Sequence, residues 1–595
     1  MKTYNFSDYI KKYGAANYLK NLRQRCLNGV YSTCEFRYYA AKTYLAIGLH
    51  RRALALLGGL DPQYAPSDDH PEVLSLCEQA GEMNTGSEST CSLNMIVRNE
   101  SELIEKALDS ADDIMDEIVI CDTGSTDSTP ELAQLYGVTL ISHTWAGSFS
   151  EARNVAIDAS TCDWIFWIDA DDQIDAACKN KLRNLWRRGK KQTASFCIIN
   201  EQPGGHGPEF MQFRLFPRMD DVRFKRRIHE QIVFSAQKKN IQAVAHKEIR
   251  IHHSGYNQPR LHKEKAQRNK TLIMAEIEDN PNDISLQLSL GECHTILGEI
   301  DDAIIIFTRI AENKEVYATH RDTYVHAHFD LGWLYKTKKN FHQAKRYLAR
   351  CLYLDQTVIE AHYMLGLIFF AEKSFQKAFN FFVRTLAHQP KQRYVAAVDI
   401  RGIKMNAFYY VGDILLRWKK YKESEELLAR AMKFYPDVVE YYTQMGEALM
   451  GMNRLKEAAL FLSHSVKVCP QKNPKAYGGI AALYIRLNDP HRAADFLLKA
   501  LENDSSSPEI FALIGDIHFN LRNPEIALNA YEVALSSLDE YDSEIDQLLW
   551  KATSSALDSS DVKKAKSFLK RMLQEKTANP QAEYVLKRIE LEDAA

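Results

Sequence analysis

The sequence lacks the features that mark membrane, disulfide-stapled and nucleic-acid-binding proteins. It has no run of about 18 apolar residues, so we expect no membrane-spanning helix. Its eleven cysteines include no Cys-x-x-Cys pair and no disulfide-like spacing, which suits a reducing cytosol. The first residues, MKTYNFSDYIKKYG, lack the apolar core of a signal peptide. With 75 basic and 78 acidic residues, the chain gives no reason to expect a nucleic-acid partner. We therefore expect a cytoplasmic protein.

The 595 residues are too many for one domain, and the periodicity of apolar residues changes along them. Residues 1–85 predict a helical segment, in which Ala41, Gly48, Ala53 and Leu57 have the spacing of an αα-hairpin. The polar, glycine-containing stretch 82–90 predicts a linker. A different pattern follows it.

Residues 90–257 alternate between strand-like and helix-like segments. Such alternation predicts an α/β domain with a parallel sheet covered on both faces. The first strands are expected at 91–97, 117–122, 138–143 and 164–168, with helices at 101–111, 130–136 and 150–160 between them. Further strands are expected at 195–200, 210–218 and 249–256.

The stretch WIFWIDADDQID (164–175) combines a buried strand with a cluster of carboxylates at its carboxyl end. Ligands of open α/β sheets bind at that edge. Asp169, Asp171 and Asp172 would repel one another unless a hard cation such as Mg²⁺ or Mn²⁺ lay among them. The alternative is an acidic turn that caps the next helix, because aspartate is a good N-cap.

From residue 283 onward the sequence repeats a pattern of one glycine, a small residue twelve positions later and a large apolar residue four positions after that. The glycines are Gly291, Gly332, Gly366, Gly412, Gly446 and Gly515. This pattern resembles the tetratricopeptide repeat. It predicts an all-α solenoid of about eight hairpins over 283–595, with a capping helix near the end and an insertion at 391–402. Residues 258–282 are expected to form a linker helix.

Four motifs of the α/β region resemble the family 2 glycosyltransferases of GT-A fold. They are NMIVRNE (94–100), VICDTGSTDST (119–129), FSEARNVAI (149–157) and DADD (169–172). The resemblance covers about residues 90–256, and the added repeats make the chain resemble bacterial glycosyltransferases, some of which modify peptides or proteins. It implies a nucleotide-sugar donor, with UDP favoured, and a divalent metal cofactor.

The resemblance also implies roles for residues that bind the donor. Asp122 would contact the nucleoside, while Gly124–Asp127 also suit an ordinary strand–helix turn and Asp127 is expected to cap locally. Glu100 lies at the same edge, or is only a first-turn helix acid. Arg153 would bind the diphosphate or uracil, since a guanidinium offers paired donors to oxyanions. Arg214 could reach the diphosphate.

Asp169 and Asp171 resemble the metal-binding Asp-x-Asp pair, which Asp172 could join. In the family the first aspartate contacts ribose or metal and the second binds the metal. His253 is the candidate for a later ligand, unless it only pairs with nearby backbone as a strand histidine. His229 and His252 remain open alternatives for the metal.

A base that takes the acceptor proton is needed for inversion at the sugar. RRIHEQ (226–231) offers Glu230 as base and His229 as its neighbour or as a ligand. Alternatively, Glu230 only pairs with Arg226 or Arg227.

Three hypotheses of function compete at this stage. The first is a metal-dependent glycosyltransferase whose repeats hold a protein or peptide acceptor on their concave face. The second is a transferase for a lipopolysaccharide or polysaccharide acceptor, with repeats that serve oligomerisation, for example as a homodimer. The third is a non-enzymatic repeat scaffold with an inactive transferase domain, which the joint presence of Asp122, Arg153, Asp169 and Asp171 disfavours.

Overall fold

A computed structural model describes residues 14–63, 73–83, 89–187, 192–202, 205–233, 242–254, 259–387, 399–471, 473–503, 507–537, 545–575 and 579–594. The chain forms two compact units. The first contains the chain up to Ala361, and the second contains His362–His388 and everything from Ile403 onward. Most of the expected insertion at 391–402 and most of the linker at 82–90 lie outside the described residues.

The N-terminal segment is helical. Its helices are α1 (Ala15–Leu27), α2 (Thr33–Ala46), α3 (His50–Leu57) and α4 (Val73–Met83). Helices α2 and α3 form the expected hairpin, and Gly48 turns between them with a φ of 78°. Buried ion pairs join the α1–α4 segment to the α/β region. Asp112 accepts from Arg23 at 2.9 Å and from Arg52 at 2.7 Å.

One eight-stranded sheet organises the α/β region. Its strands are β1 (Cys91–Val97), β2 (Glu117–Asp122), β3 (Thr139–Ser142), β4 (Trp164–Trp167), β5 (Asp172–Ile174), β6 (Gln192–Gln202), β7 (Gly205–Pro217) and β10 (Gln242–His253), in the order β3-β2-β1-β4-β7-β6-β10-β5. Strands β8 (Arg223–Lys225) and β9 (Gln231–Val233) form a separate ribbon. The helices of this region are α5 (Ile104–Ala111), α6 (Thr129–Gln134), α7 (Phe149–Ala159) and α8 (Lys179–Arg187), with a short 3-10 turn at Ala176–Cys178.

The expectation of a parallel sheet was correct for β1 to β4 and for the pair β6–β10, but not for the whole sheet. Strand β7 pairs antiparallel with both β4 and β6, and β5 pairs antiparallel with β10. The physical reason is the connection, because β6 passes directly into β7 and a short link favours a hairpin over a crossover. The sheet is therefore mixed, and its parallel half carries the four motifs.

Within the described residues, the chain from Pro259 onward contains helices and no strands. It begins with the long helix α9 (Pro259–Asp279), which lies within the range 258–282 where a linker helix is expected. The first unit continues with α10 (Ile284–Leu297), α11 (Ile300–Glu312), α12 (Lys314–Thr319), α13 (Arg321–Thr337) and α14 (Phe341–Leu354). Next come α15 (Ile359–Ala371), α16 (Phe375–Ala387), α17 (Ile400–Arg417), α18 (Tyr421–Phe434), α19 (Val439–Gly451) and α20 (Leu455–Val468). The last are α21 (Pro474–Arg486), α22 (Pro490–Asn503), α23 (Pro508–Asn520), α24 (Pro524–Ser537), α25 (Ile545–Asp558), α26 (Val562–Glu575) and α27 (Pro580–Ala594).

The repeat glycines lie where the two helices of a hairpin touch, and a side chain there would meet the facing helix. A Cβ on Gly332 would lie 2.5 Å from Leu348, and one on Gly446 would lie 2.5 Å from Leu462. Each contact joins a glycine to the large residue sixteen positions later in the repeat pattern. No described helix is long and apolar enough to cross a bilayer.

Candidate active site

Three parallel strands deliver polar residues to one edge of the sheet. Strands β1, β2 and β4 are neighbours, so their carboxyl ends lie side by side. Asp122 ends β2 and is buried, and its Oδ1 accepts from the amide of Ser125 at 3.0 Å and from the Ser125 hydroxyl at 2.6 Å. Gly124 between them has a φ of 102°, a backbone conformation that favours glycine.

Glu100 follows β1 at the same edge. Burial, together with repulsion from Asp171, raises the pKa of Glu100 to about 7. Asp127 caps locally as expected, because its carboxylate accepts from the amide of Thr129 at 3.0 Å and from the amide of Ser101 at 3.1 Å. Glu100 therefore lies among the carboxylates of this edge, while Asp127 stabilises the adjoining turn.

Arg153 on α7 connects two carboxylates that come from distant parts of the chain. Its Nη2 donates to Asp169 Oδ1 at 2.8 Å, and its Nε donates to Glu230 Oε1 at 2.9 Å. Arg153 is itself buried, so these bonds satisfy a charge that water does not reach. Although burial opposes ionisation, Arg153 and Arg214 hold the pKa of Asp169 well below its usual range. Glu230 thus pairs with Arg153 and not, as the alternative had it, with Arg226 or Arg227.

Arg214 on β7 provides the second buried cation. Its Nη1 lies 3.0 Å from Asp172 Oδ2 and 3.6 Å from Asp169 Oδ2. The guanidinium groups of Arg214 and Arg153 stack on the indole of Trp167, at 3.8 Å and 4.1 Å from its ring centroid. Trp167 therefore orients both cations by cation–π contact as well as by packing.

Asp171, Asp172 and His253 present ligand atoms that could hold one metal ion. His253 Nδ1 lies 2.8 Å from Asp172 Oδ1 and 3.3 Å from Asp171 Oδ1. The antiparallel register of β5 and β10 sets His253 opposite Asp172. Although burial opposes the charge, the two carboxylates raise the pKa of His253 to about 10.

The donor set fits a hard cation at one atom in particular. Asp171 Oδ1 is buried, and among the described residues it has no hydrogen-bond partner. Asp172 differs, since it is fully buried and its Oδ2 also accepts from the amide of Asp169 at 2.9 Å. Asp171 Oδ1 therefore has an ion-pair contact with His253 at 3.3 Å but no hydrogen bond within the described part of the chain, and a divalent cation could use this oxygen. Of the two remaining histidines, His252 lies 3.9 Å from Asp175, and His229 belongs to the loop of Glu230.

Most of the residues predicted from the sequence thus fall into two adjoining groups, and two more, Asp122 and Glu100, lie at the same edge of the sheet. Arg153, Asp169, Arg214 and Glu230 form an ion-pair network, and Asp171 and His253 form the candidate metal group with Asp172. Asp122 and Glu100 follow the next strands along the edge. Trp167 was missed as a site residue, because an aromatic residue in an apolar run looks like ordinary core.

Comparison with known proteins agrees with this division of the chain. Residues 92–241 match the model of glycosyl transferase family 2, and residues 325–358 and 474–507 match tetratricopeptide repeats. The chain therefore combines a family 2 glycosyltransferase domain with tetratricopeptide repeats.

Individual relatives match over part of their length. A TPR repeat-containing protein of Synechococcus elongatus is 35% identical over 207 residues, which cover 34% of this chain and 51% of that protein. The SPbeta prophage-derived glycosyltransferase SunS of Bacillus subtilis is 26% identical over 238 residues, 39% of this chain and 56% of that protein. The chain thus spans about half the length of these relatives. The match to a solved tetratricopeptide repeat protein of Parabacteroides merdae has 15% identity and a TM-score of 0.34, and it covers 49% of this chain and 99% of that structure.

Proposed function

We propose that this protein is a metal-dependent, inverting glycosyltransferase that moves a sugar from a UDP-sugar to a protein or peptide. The observation that carries the proposal is the chain of contacts Asp169–Arg153–Glu230, with Asp171 of the candidate metal group two positions after Asp169. A carboxylate proposed to bind the donor, a buried cation, a proposed base and an oxygen proposed to bind metal would thus lie together in the part of the chain that matches glycosyl transferase family 2.

The donor half would be formed at the carboxyl ends of β1, β2 and β4. Asp122 and Glu100 would contact the nucleoside, and Asp169 the ribose. Arg153 and Arg214, whose positions are fixed on Trp167, would face the diphosphate oxygens, where two buried cations offset negative charge without reorganisation. A divalent cation held by Asp171 with Asp172 and His253 would supply further charge neutralisation for the leaving nucleoside diphosphate.

The acceptor half would centre on Glu230. Its Oε1 accepts from Arg153, so Oε2 is the oxygen that would take the proton of the attacking hydroxyl or thiol. The Arg153 bond fixes the distance of Glu230 from the donor side. One displacement at the anomeric carbon would then give inversion.

The repeats support a protein or peptide as the acceptor. Solenoids of stacked hairpins present long concave surfaces that suit extended chains. Binding energy gained on such a surface can position a distant side chain at the sugar. A lipopolysaccharide or polysaccharide acceptor, and an inactive scaffold, remain outcomes that the experiment must separate.

The first test measures donor binding and turnover. Purified protein is heated with each of a panel of nucleotide sugars, with and without Mn²⁺, and release of free nucleotide is recorded in parallel. We expect a UDP-sugar with Mn²⁺ to raise the unfolding temperature, because a ligand at 100 times its Kd stabilises by about 2.7 kcal/mol, and to be hydrolysed slowly. Absence of both effects for every donor would favour the scaffold and refute the proposal.

A further inference from the structure

The five residues Arg226–Glu230, here called the base loop, have a strained backbone. Arg226 has a φ of 77° and His229 a φ of 53°, although neither is glycine. Side chains with a Cβ rarely adopt this region, and they persist there only where the surroundings hold them. The contacts that hold the base loop therefore matter for the position of Glu230 at its end.

Part of that support comes from the domain's own helix α7. The amide of Phe149 donates to the carbonyl of Arg227 at 2.9 Å, and the hydroxyl of Ser150 donates to the carbonyl of Arg226. These bonds satisfy the carbonyl groups of Arg226 and Arg227. The amide of Arg227 and the guanidinium groups of both arginines have other partners.

Those other partners lie outside the matched domain, on α9 and at the start of α10. The amide of Arg227 donates to Glu276 Oε2 at 2.9 Å, and Glu276 is only 6% exposed. The guanidinium of Arg226 pairs with Asp283, which also caps α10 by accepting from the amide of Ser285 at 3.0 Å. A buried carboxylate on the linker helix thus binds the backbone of the base loop directly.

An apolar contact completes the attachment. Ile228, in the middle of the base loop, is 4% exposed and packs with Ile273 of α9 and with Leu286 and Cys293 of α10. The base loop therefore shares a small core with the linker helix and the first repeat helix. The two residues that precede Ile228, Arg226 and Arg227, are bonded to those same two helices or to the N-cap of α10.

We propose that Glu276, assisted by Asp283, is a positioning residue that sets Glu230 for proton transfer. This inference rests on the proposed function. Glu276 touches neither donor nor acceptor; it fixes the amide of Arg227, three residues before the carboxylate of Glu230. The linker helix and the first repeat helix would then form part of the acceptor half of the site, and the donor half would not depend on them.

The test uses single variants of the full-length protein. Glu276→Ala removes the acceptor of the Arg227 amide, whereas Glu276→Gln keeps an oxygen there and serves as the conservative rescue. Asp283→Asn breaks the pair with Arg226 but keeps a good N-cap. Asp279→Asn is the matched control, because Asp279 lies on the same helix, is exposed and contacts only the side chain of Arg227.

Two quantities are measured for each variant: the Kd for UDP with Mn²⁺, and kcat and KM for hydrolysis of the best UDP-sugar of the panel, with water as the acceptor. We expect Glu276→Ala to lower kcat roughly tenfold to 100-fold, the scale of a misplaced catalytic group, while the Kd for UDP changes less than about twofold. Glu276→Gln should restore most of kcat, Asp283→Asn should lose an intermediate amount, and Asp279→Asn should behave as the wild type.

Two results would overturn the positioning role. One is an unchanged kcat in Glu276→Ala and Asp283→Asn. The other is a loss of UDP affinity in parallel with kcat, since that would show that Glu276 supports the whole domain. If Glu276→Ala does not fold, Glu276→Gln and Asp283→Asn decide the question on the same two readouts. Failure of the proposed function is distinguishable, because the wild type would then neither bind UDP nor hydrolyse any donor.

Discussion

Arg153 and Glu230 form an ion pair that bridges the two halves of the candidate site, with Arg153 Nε 2.9 Å from Glu230 Oε1. The same guanidinium donates to Asp169 at 2.8 Å, so one side chain couples a donor-side carboxylate to the candidate base. Loss of this cation would leave Glu230 without its partner and Asp169 with Arg214 alone at 3.6 Å, so the ion pair is the natural first target for mutation.

Arg153→Lys should therefore lose activity although it keeps the charge. A lysine has a single ammonium group and cannot reproduce two directed bonds from one planar fork. We expect kcat for UDP-sugar hydrolysis to fall roughly 100-fold, the cost of one stabilising donor in a preorganised site. Arg223→Lys is the control, because Arg223 is partly exposed and pairs with the exposed Asp158. Near-normal hydrolysis by Arg153→Lys would contradict a bridging role.

Asp171 and Asp172 should respond differently to alanine. Asp171→Ala should abolish Mn²⁺-dependent turnover while the fold stays intact, because its Oδ1 holds no protein hydrogen bond among the described residues. Asp172→Ala should instead destabilise the domain by about 3–5 kcal/mol, since it strips a fully buried partner from Arg214 and His253. Thermal denaturation and a Mn²⁺ titration of turnover measure the two effects. Normal activity of Asp171→Ala at limiting Mn²⁺ would exclude its metal role.

The repeat glycines offer a matched pair for a packing test. Gly446→Ala would bring a Cβ within 2.5 Å of Leu462, whereas the nearest atom to a Cβ on Gly478 is 3.8 Å away. We expect Gly446→Ala to cost about 1–3 kcal/mol through overpacking. Gly478→Ala should be neutral or stabilising by up to about 1 kcal/mol, because alanine is the better helix former. Urea unfolding of both variants checks this, and equal stabilities would contradict the close-packing account.

His326 on α13 should make the first repeats sensitive to alkaline pH. It lies 3.6 Å from both Asp330 and Glu292, and although burial opposes its charge, Asp330 and Glu292 raise its pKa to about 9. A histidine pKa raised from 6.5 means stability that is fully present below pH 6.5 and is lost as the pH rises through 9.

Hydrogen exchange of the α13 amides, compared with His326→Gln at each pH, measures that loss. The protection that the wild type has over the variant should shrink between pH 7 and pH 10. A constant difference across this range would show that His326 carries no charge that matters for stability.

Removal of the later repeats should separate donor chemistry from transfer. We expect a truncation near residue 437, after the fourth hairpin and with a polar capping helix added, to keep UDP-sugar binding and slow hydrolysis but to lose most transfer to protein. The reason is that the donor motifs all precede residue 260, while the acceptor surface is assigned to the repeats. Unchanged transfer by a well-folded truncation would assign the repeats another role, such as self-association.

Local patterns predicted much of the fold. The apolar run before Asp169 predicted β4 and its carboxylate-bearing end, and the repeat that contains Gly332 and Leu348 predicted helical hairpins. Both features depend on residues close in sequence. For the same reason the helices from α9 onward could be expected without any knowledge of the sheet.

Pairing between residues far apart in the chain could not be predicted from the sequence. The register between β4 and β7 brings Arg214 to Trp167 across 47 positions, and no local period encodes such a match. The same holds for Arg227 and Glu276, which are 49 positions apart, and for the pairing of Asp169 with two arginines. Sequence motifs thus predicted which residues belong to the candidate site, while the partners of those residues could be found only from the structure.

The most direct test of the central claim is the mass of sugar added to protein. A protein extract is incubated with the purified enzyme, Mn²⁺ and the UDP-sugar selected by hydrolysis, and the protein fraction is analysed by mass spectrometry beside the lipid and polysaccharide fractions. The account predicts a glycan mass on polypeptide that is absent with Asp171→Ala and strongly reduced with Glu230→Gln. Sugar found only in the lipid or polysaccharide fraction would contradict the account, and so would transfer to protein by both variants at the level of the wild type.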